Sequence, residues 1–255
     1  MLINSIVLFL RDALPVLILF SLVLVLYRGY AYRFRIALGA VVCGLVASLG
    51  LVLSMGFWSA LADGMGLELL YAGLYAIAFL LIGALLIHKR GSQPGQIKLV
   101  FALCTLLVCL GSSSIFVYFL GFWQHIENPQ VILLGSFMGG AISLSVAVLW
   151  YYLLTMLDHY WAYASRCFLA LFAAGLTGRC LAYLIQADWL PYSATAWNSS
   201  TWVSDSSELG HFLHAIFGYE ATPHWSQITV FLSALALLLG MVWVRRTREQ
   251  QDDGV

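Results

Sequence analysis

The chain is poor in charge. Of its 255 residues, 9% are Asp, Glu, Lys or Arg, while 62% are hydrophobic. A soluble domain carries about 25% charged and roughly 45–50% apolar residues. With so few charges, a soluble fold would leave broad apolar patches in water and aggregate, so an ordinary soluble enzyme is excluded. The same apolar excess excludes a disordered chain. Neither sign of charge dominates, because 12 basic residues balance 12 acidic ones. A neutral chain offers no basic field for nucleic acid. The five cysteines, Cys43, Cys104, Cys109, Cys167 and Cys180, form no CxxC pair. That removes zinc-ribbon and thiol-redox readings and leaves small apolar packing residues. No nucleophile–base pair or cofactor motif is present, so neither enzymatic activity nor a permanently bound cofactor is expected. A membrane haem protein would need histidines facing one another within the spans. The six histidines fall at span ends or in loops instead.

What the chain has is long apolar runs. A spanning helix needs roughly 20 mostly apolar residues. Seven runs qualify, at about 2–27, 36–57, 67–88, 98–120, 130–154, 167–187 and 227–244. The first has no basic segment before it and is too long for a cleaved signal, so it is expected to remain as a span. The expected fold is all-α, one polytopic membrane domain over 1–255 with seven transmembrane helices. Ten of the 12 basic residues fall on one side of this layout: Arg28, Arg33, Arg35, Lys89, Arg90, Lys98, Arg166, Arg245, Arg246 and Arg248. The loops at 58–66, 121–129 and 188–226 hold none. The positive-inside rule then places the N-terminus outside and the C-terminus in the cytoplasm. Three spans per half give an inverted repeat, so spans 1–3 and 4–6 are candidate halves, with the seventh span added. Gly135 and Gly139 form a GxxxG pair in the fifth span, read as close helix packing.

The two remaining basic residues, Arg11 and Arg179, lie inside spans. Arg11 is followed by Asp12. Charge inside a bilayer costs several kcal/mol, about 2.5–3.5 on insertion scales. The pair is therefore either a functional site or a structural ion pair, with Arg11 or Arg179 neutralising Asp12. Pro15 follows closely and removes one helical hydrogen bond. The fourth span has no acid or base from Leu99 to Leu120, and its polar feature is Ser112-Ser113-Ser114. Serines in a span bond a local carbonyl or a neighbouring helix, or as a cluster they line a path.

The segment 188–226 is the longest stretch outside the spans. Asp205 to Glu208 reads as a capping box, opening an amphipathic helix over 206–217 that Gly218 ends. Leu209, Phe212, Leu213, Ile216 and Phe217 form its apolar stripe. Glu208, His211 and His214 fall on the opposite side. This helix lies on the outer surface or docks on the bundle. Its three polar residues form either a solvated face or part of a metal site, with His125, Glu127, Glu220 and His224 as neighbours from outer loops.

The stretch Trp197-Asn198-Ser199-Ser200, then Asp205 to Tyr219, then Ala221-Thr222-Pro223-His224-Trp225-Ser226-Gln227 resembles the oxidase-dependent, high-affinity iron permease family of bacteria and fungi. The family shows a similar Trp, a Ser-x-x-Gly helix, a Gly-Tyr stop and a similar start to the last span. The seven spans and the outside N-terminus match as well. The family's motif is Arg-Glu-Gly-x-Glu in spans 1 and 4. Here its first copy is matched by Arg11-Asp12-Ala13-Leu14-Pro15, with the Arg kept and the acids replaced by Asp12 and Pro15. The second is matched by Gly111-Ser112-Ser113-Ser114-Ile115, where the Arg and both acids are gone.

The resemblance implies an inner-membrane iron permease-like transporter, with iron as its substrate and Arg11, Asp12, Ser112 and Ser113 as the transport motif. Asp12 is the remaining ion ligand and Arg11 its orienting partner. Glu208, His211 and His214 form a metal-collecting site at the outer face. Periplasmic oxidases or iron-binding proteins are the implied partners, besides membrane lipid. The alternative is a divergent member that moves another metal or serves as the membrane subunit of a periplasmic metal-handling complex.

Overall fold

A backbone that crosses a bilayer meets no water, so its N–H and C=O groups must be satisfied within the segment, and a helix does this. The computed structural model describes residues 2–29, 32–88, 94–123, 129–161 and 163–252. Its spans are α1 (Leu2–Leu26), α2 (Arg33–Leu53), α4 (Gly66–Ile87), α5 (Pro94–Trp123), α6 (Pro129–Tyr160), α7 (Ala164–Gln186) and α9 (Trp225–Asp252). A short helix α3 (Met55–Ser59) follows α2, and α8 (Glu208–Phe217) sits in the segment between α7 and α9. The seven long helices are apolar and long enough to cross a membrane. The chain is thus an all-α, multi-pass membrane protein. Two helices outrun their apolar stretches, because α5 and α6 begin at Pro94 and Pro129. Proline at the first helical position is preset for the helix and forfeits only an N–H that would have no partner.

Two faces are distinguished by charge. The arginine face carries Arg28, Arg33 and Arg35 between and at the start of spans, and Arg245 and Arg246 at the end of α9. The opposite, loop face carries the segment between α7 and α9.

The helices do not pack in chain order. α1 lies chiefly on α6, α2 on α5, α4 on α7, and α9 on α7. α1 also crosses α5 and α7, and α4 packs on α5. Half of the α1 span is buried against 17% of α2, so α1 is central and α2 peripheral. Leu14, Ile18, Leu19 and Leu22 of α1 join Ile82, Leu86, Leu103, Leu154, Leu169 and Leu238 in the fully buried core. Polar side chains tie the helices together. Ser21 donates to the carbonyls of Leu17 and, across to α6, of Ala147 at 2.9 Å. The Cys180 thiol donates to the Ala72 carbonyl of α4 at 3.3 Å.

The segment between α7 and α9 differs from the expected capping box. The N-cap of α8 is Ser207, whose hydroxyl accepts from the Gly210 N–H at 3.0 Å. Asp205 instead accepts from the Ala221 N–H at 2.7 Å, tying the two limbs of the segment together. The helix accordingly starts at Glu208 rather than 206. Gly218 ends it as expected, in the left-handed conformation with φ 67°. The helix is docked rather than lying free. It packs on α1 and α7, and Phe212 reaches the hydrophobic core. A Cβ on Gly218 would stand 2.8 Å from the Cα of Gly175. Gly175 is about 16 Å from the loop-face end of α7 at 1.5 Å per residue, so α8 ends near the middle of the bundle.

Candidate functional site

The site is built where α1 meets α5. Asp12 is about 15 Å from the start of α1, and Gly111 about 18 Å from the loop-face end of α5, by the helical rise. Both are therefore near the bilayer midplane, which lies roughly 15 Å from either edge of the hydrocarbon core. A Cβ on Gly111 would lie 2.8 Å from the Asp12 carbonyl oxygen and 2.8 Å from Val16 Cγ2. Glycine is what permits the two backbones to touch there.

Two further glycine contacts repeat each other. A Cβ on Gly139 of α6 would meet Phe9 Cβ at 2.8 Å and the Ile6 carbonyl at 3.0 Å. A Cβ on Gly44 of α2 would meet Val108 Cβ at 2.6 Å and the Thr105 carbonyl at 2.8 Å. One displacement along the chain carries Ile6 to Thr105, Phe9 to Val108, and Asp12 to Gly111. The partner of Asp12 in this register is Gly111, one residue from the Ser112 that matching of motifs pairs with it.

Asp12 is 9% exposed and both of its oxygens are engaged. Arg11 Nε donates to Oδ1 and Nη2 to Oδ2, each at 3.1 Å. The two side chains form an ion pair inside the span. Neighbouring residues on a helix point apart, and it is the length of the arginine that lets it fold back. Pro15 withholds the N–H that would bond the Arg11 carbonyl. The Arg11 guanidinium lies in electrostatic range of the Tyr75 and Tyr183 hydroxyls.

Those tyrosines form a stack. The ring of Tyr183 from α7 lies 5.3 Å from Tyr71 and 5.9 Å from Tyr75, with interplanar angles of 15° and 18°. The Tyr71 hydroxyl donates to Ser113 Oγ at 3.0 Å, and Ser113 donates to the Leu110 carbonyl at 2.8 Å. Arg179 lies in electrostatic range of Tyr183 and, on the loop face, of Glu220. The tyrosines were not among the residues singled out from the sequence. Their signal was present as Tyr71 and Tyr75, four residues apart on one face of a span that is apolar beyond Glu68 in its first turn.

The predicted transport-motif residues therefore divide. Asp12 and Ser112 line the same cavity, of about 650 Å³, between α1, α2, α5 and α6. Ser113 is fully buried and bonded toward α4. The predicted metal residues at the loop face are not drawn together by the described atoms. His214 Nδ1 bonds the Tyr219 carbonyl at 2.8 Å, closing the end of α8. The side chains of Glu208 and His211, and all of His125 and Glu127, lie outside the described residues. Among the described residues no three His, Cys, Asp or Glu side chains form a group able to hold a metal ion.

A second polar cluster lies beside α8. The Gln227 carbonyl oxygen accepts from the His224 N–H at 2.9 Å, and Gln227 also bonds the Glu220 carboxylate. Among the described residues His224 Nδ1 is buried without a hydrogen-bond partner, and its ring stands edge-on to Tyr192 at 4.2 Å. Burial pushes the Glu220 carboxyl above its ordinary range, Asp205 adds to the shift, and Gln227, His224 and Arg179 oppose it.

Comparison with protein-family models, with curated proteins and with solved structures finds no match to this chain. The fold and the site geometry define its class, a multi-pass, transporter-like membrane protein.

Proposed function

We propose that the chain is a permease-like transporter whose substrate step occurs at the crossing of α1 and α5, with iron as the cargo that its resemblance implies. The observation that carries this reading is the backbone contact of Asp12 with Gly111 near the midplane. A two-fold axis in the membrane plane requires equivalent residues to touch where it passes, and Asp12 and Gly111 are equivalent in the register set by Gly44 and Gly139. The exchanged partners, α1 on α6 and α5 on α2, support the same inverted repeat, with α9 as an addition. Transporters with such repeats bind substrate at the repeat interface near the bilayer midplane. The arginine face is assigned to the cytoplasm, and inward transport through Asp12 is what the resemblance implies. The loop face then meets periplasmic oxidases or iron-binding proteins.

One observation favours a second reading. Ferric iron is a hard cation that takes several oxygen ligands, and Arg11 occupies both oxygens of the single acid at the crossing. A carboxylate neutralised by its own neighbour attracts a cation weakly. On this reading the chain is a divergent member that moves another cargo, or a membrane subunit of a periplasmic metal-handling complex.

Radioactive iron uptake by proteoliposomes separates the two. A permease for iron should exceed empty liposomes, keep or gain uptake with Asp12→Glu, and lose it with Asp12→Asn. No uptake by wild type or Asp12→Glu, in protein shown to be inserted and folded, would reject iron and leave the second reading.

A further inference from the structure

The cavity beside Asp12 is not shaped for an ion. Its wall is formed by apolar side chains such as Val16, Phe20, Val41, Val108 and Ile115, and its polar side chains are few, chiefly Asp12, Ser21 and Ser112. It is a groove rather than a closed chamber. Phe34, Leu38, Val148 and Tyr152 line it and are all exposed. These four belong to apolar spans, so in a bilayer the mouth of the groove is offered to lipid.

The groove has the length of one leaflet. Along α1 it runs from Leu24 to Asp12, about 18 Å at 1.5 Å per residue. Half of a hydrocarbon core of about 30 Å is roughly 15 Å. One end is therefore at the midplane and the other at the arginine face. At that end sits Arg33, whose Nη1 donates to the carbonyls of Leu24 and Arg28 at 3.2 Å, and whose guanidinium lies 4.9 Å from the ring of Phe34. Arg28 and Arg35, five residues before and two after it in the chain, are exposed. Among the described residues none of the three has a carboxylate partner.

We propose that the groove binds one acyl chain of an anionic phospholipid from the leaflet on the arginine side. The phosphate is held by Arg28, Arg33 and Arg35, and the end of the chain lies against α1 and α5 below Asp12. Shape and charge select the same ligand: an apolar channel one leaflet deep, with unpaired cations only at its headgroup end. Basic clusters at the ends of spans attract anionic headgroups in this way. The proposal holds whatever cargo the protein carries.

The test uses full-length protein in nanodiscs containing equimolar phosphatidylglycerol and phosphatidylcholine. In turn, one of the two carries a diazirine at the end of its acyl chain. After irradiation, labelled peptides are mapped by mass spectrometry. Phosphatidylglycerol should label 13–17 and 108–115, and should exceed phosphatidylcholine there by about fivefold or more. Arg35→Gln, at an exposed position, should remove about fivefold of that preference. Val148→Trp, which narrows the mouth, should lower labelling at both segments severalfold. Equal labelling by the two lipids, or labelling confined to helix faces outside the groove, would overturn the proposal. So would a dimer whose subunits crosslink through the groove mouth while 13–17 stays unlabelled, which would assign the groove to a second copy. The Arg35 and Val148 variants read the headgroup and chain ends separately, so failure of one to fold leaves the other decisive.

Discussion

Asp12 and Arg11 are adjacent in the chain and bonded to each other, which makes each the other's main electrostatic partner. The pair was readable from two charges side by side in an apolar run. Which base neutralises Asp12 was not readable, because Arg179 was an equal candidate until the fold placed it toward Tyr183 and Glu220. Asp12 is buried but the Arg11 side chain is 53% exposed, so removing one member strands the other charge at less than the about 3–5 kcal/mol of a fully buried pair, whereas replacing both removes the penalty. Thermal unfolding in detergent should therefore show Asp12→Asn and Arg11→Gln each destabilised, and the double variant closer to wild type than either. A double variant as unstable as the sum of the two would contradict the pairing. Glu220 provides a pH-dependent counterpart at the loop face. Its carboxyl is raised above the ordinary 4.5 by burial. Between 4.5 and the folded value the native state holds a proton that the unfolded chain has released. The stabilisation is full below 4.5 and is lost as pH rises through the folded value. Wild type should lose stability with rising pH over that window, and Glu220→Gln, which cannot ionise, should flatten the dependence.

At the scale of elements, α8 shows how a short helix is positioned by its ends. Its existence and its stop were visible in the spacing of apolar residues and in Gly218. Its N-cap was misread, because Asp205 and Ser207 are both good caps by residue type. The fold decided between them by using Asp205 to hold the Ala221 N–H on the other limb. The depth of α8 was not visible at all, since it depends on Gly218 meeting Gly175, a residue of a different helix. Gly218→Ala adds a Cβ in a left-handed conformation, about 1–2 kcal/mol, and drives it into the Gly175 backbone, about 1–3 kcal/mol more. Ser207→Ala loses only the cap, about 1 kcal/mol. Hydrogen exchange across 208–217 should accelerate strongly in the first variant and modestly in the second. Equal protection in both would show that α8 does not depend on the glycine contact.

For the whole molecule, the distribution of arginine predicts how it sits in the membrane. Ten of 12 basic residues on one side predict that the segment 188–226 lies outside and the C-terminal end of α9, which holds Gln250, lies inside. In a cysteine-free background, Ser200→Cys should react with an impermeant thiol reagent added to intact cells, and Gln250→Cys only after permeabilisation. Labelling of the Gln250→Cys variant from outside intact cells would reverse the orientation.

The number and type of elements were determined by the sequence alone. Hydropathy is a sum over local residues, and a bilayer admits only segments that satisfy their own backbone. The presence of two opposite charges at Arg11 and Asp12 inside one span is local in the same way, whereas their pairing with each other came from the fold. The partners of each helix were decided by the tertiary structure. α1 lies on α6 and α2 on α5 because Gly139 and Gly44 let backbones approach across long stretches of chain. Hydropathy is blind to such contacts, since in lipid every apolar face is equally acceptable and close packing of small residues chooses among them. The tyrosine stack and the groove beside Asp12 both arise from that choice, each assembled from helices that are distant in sequence.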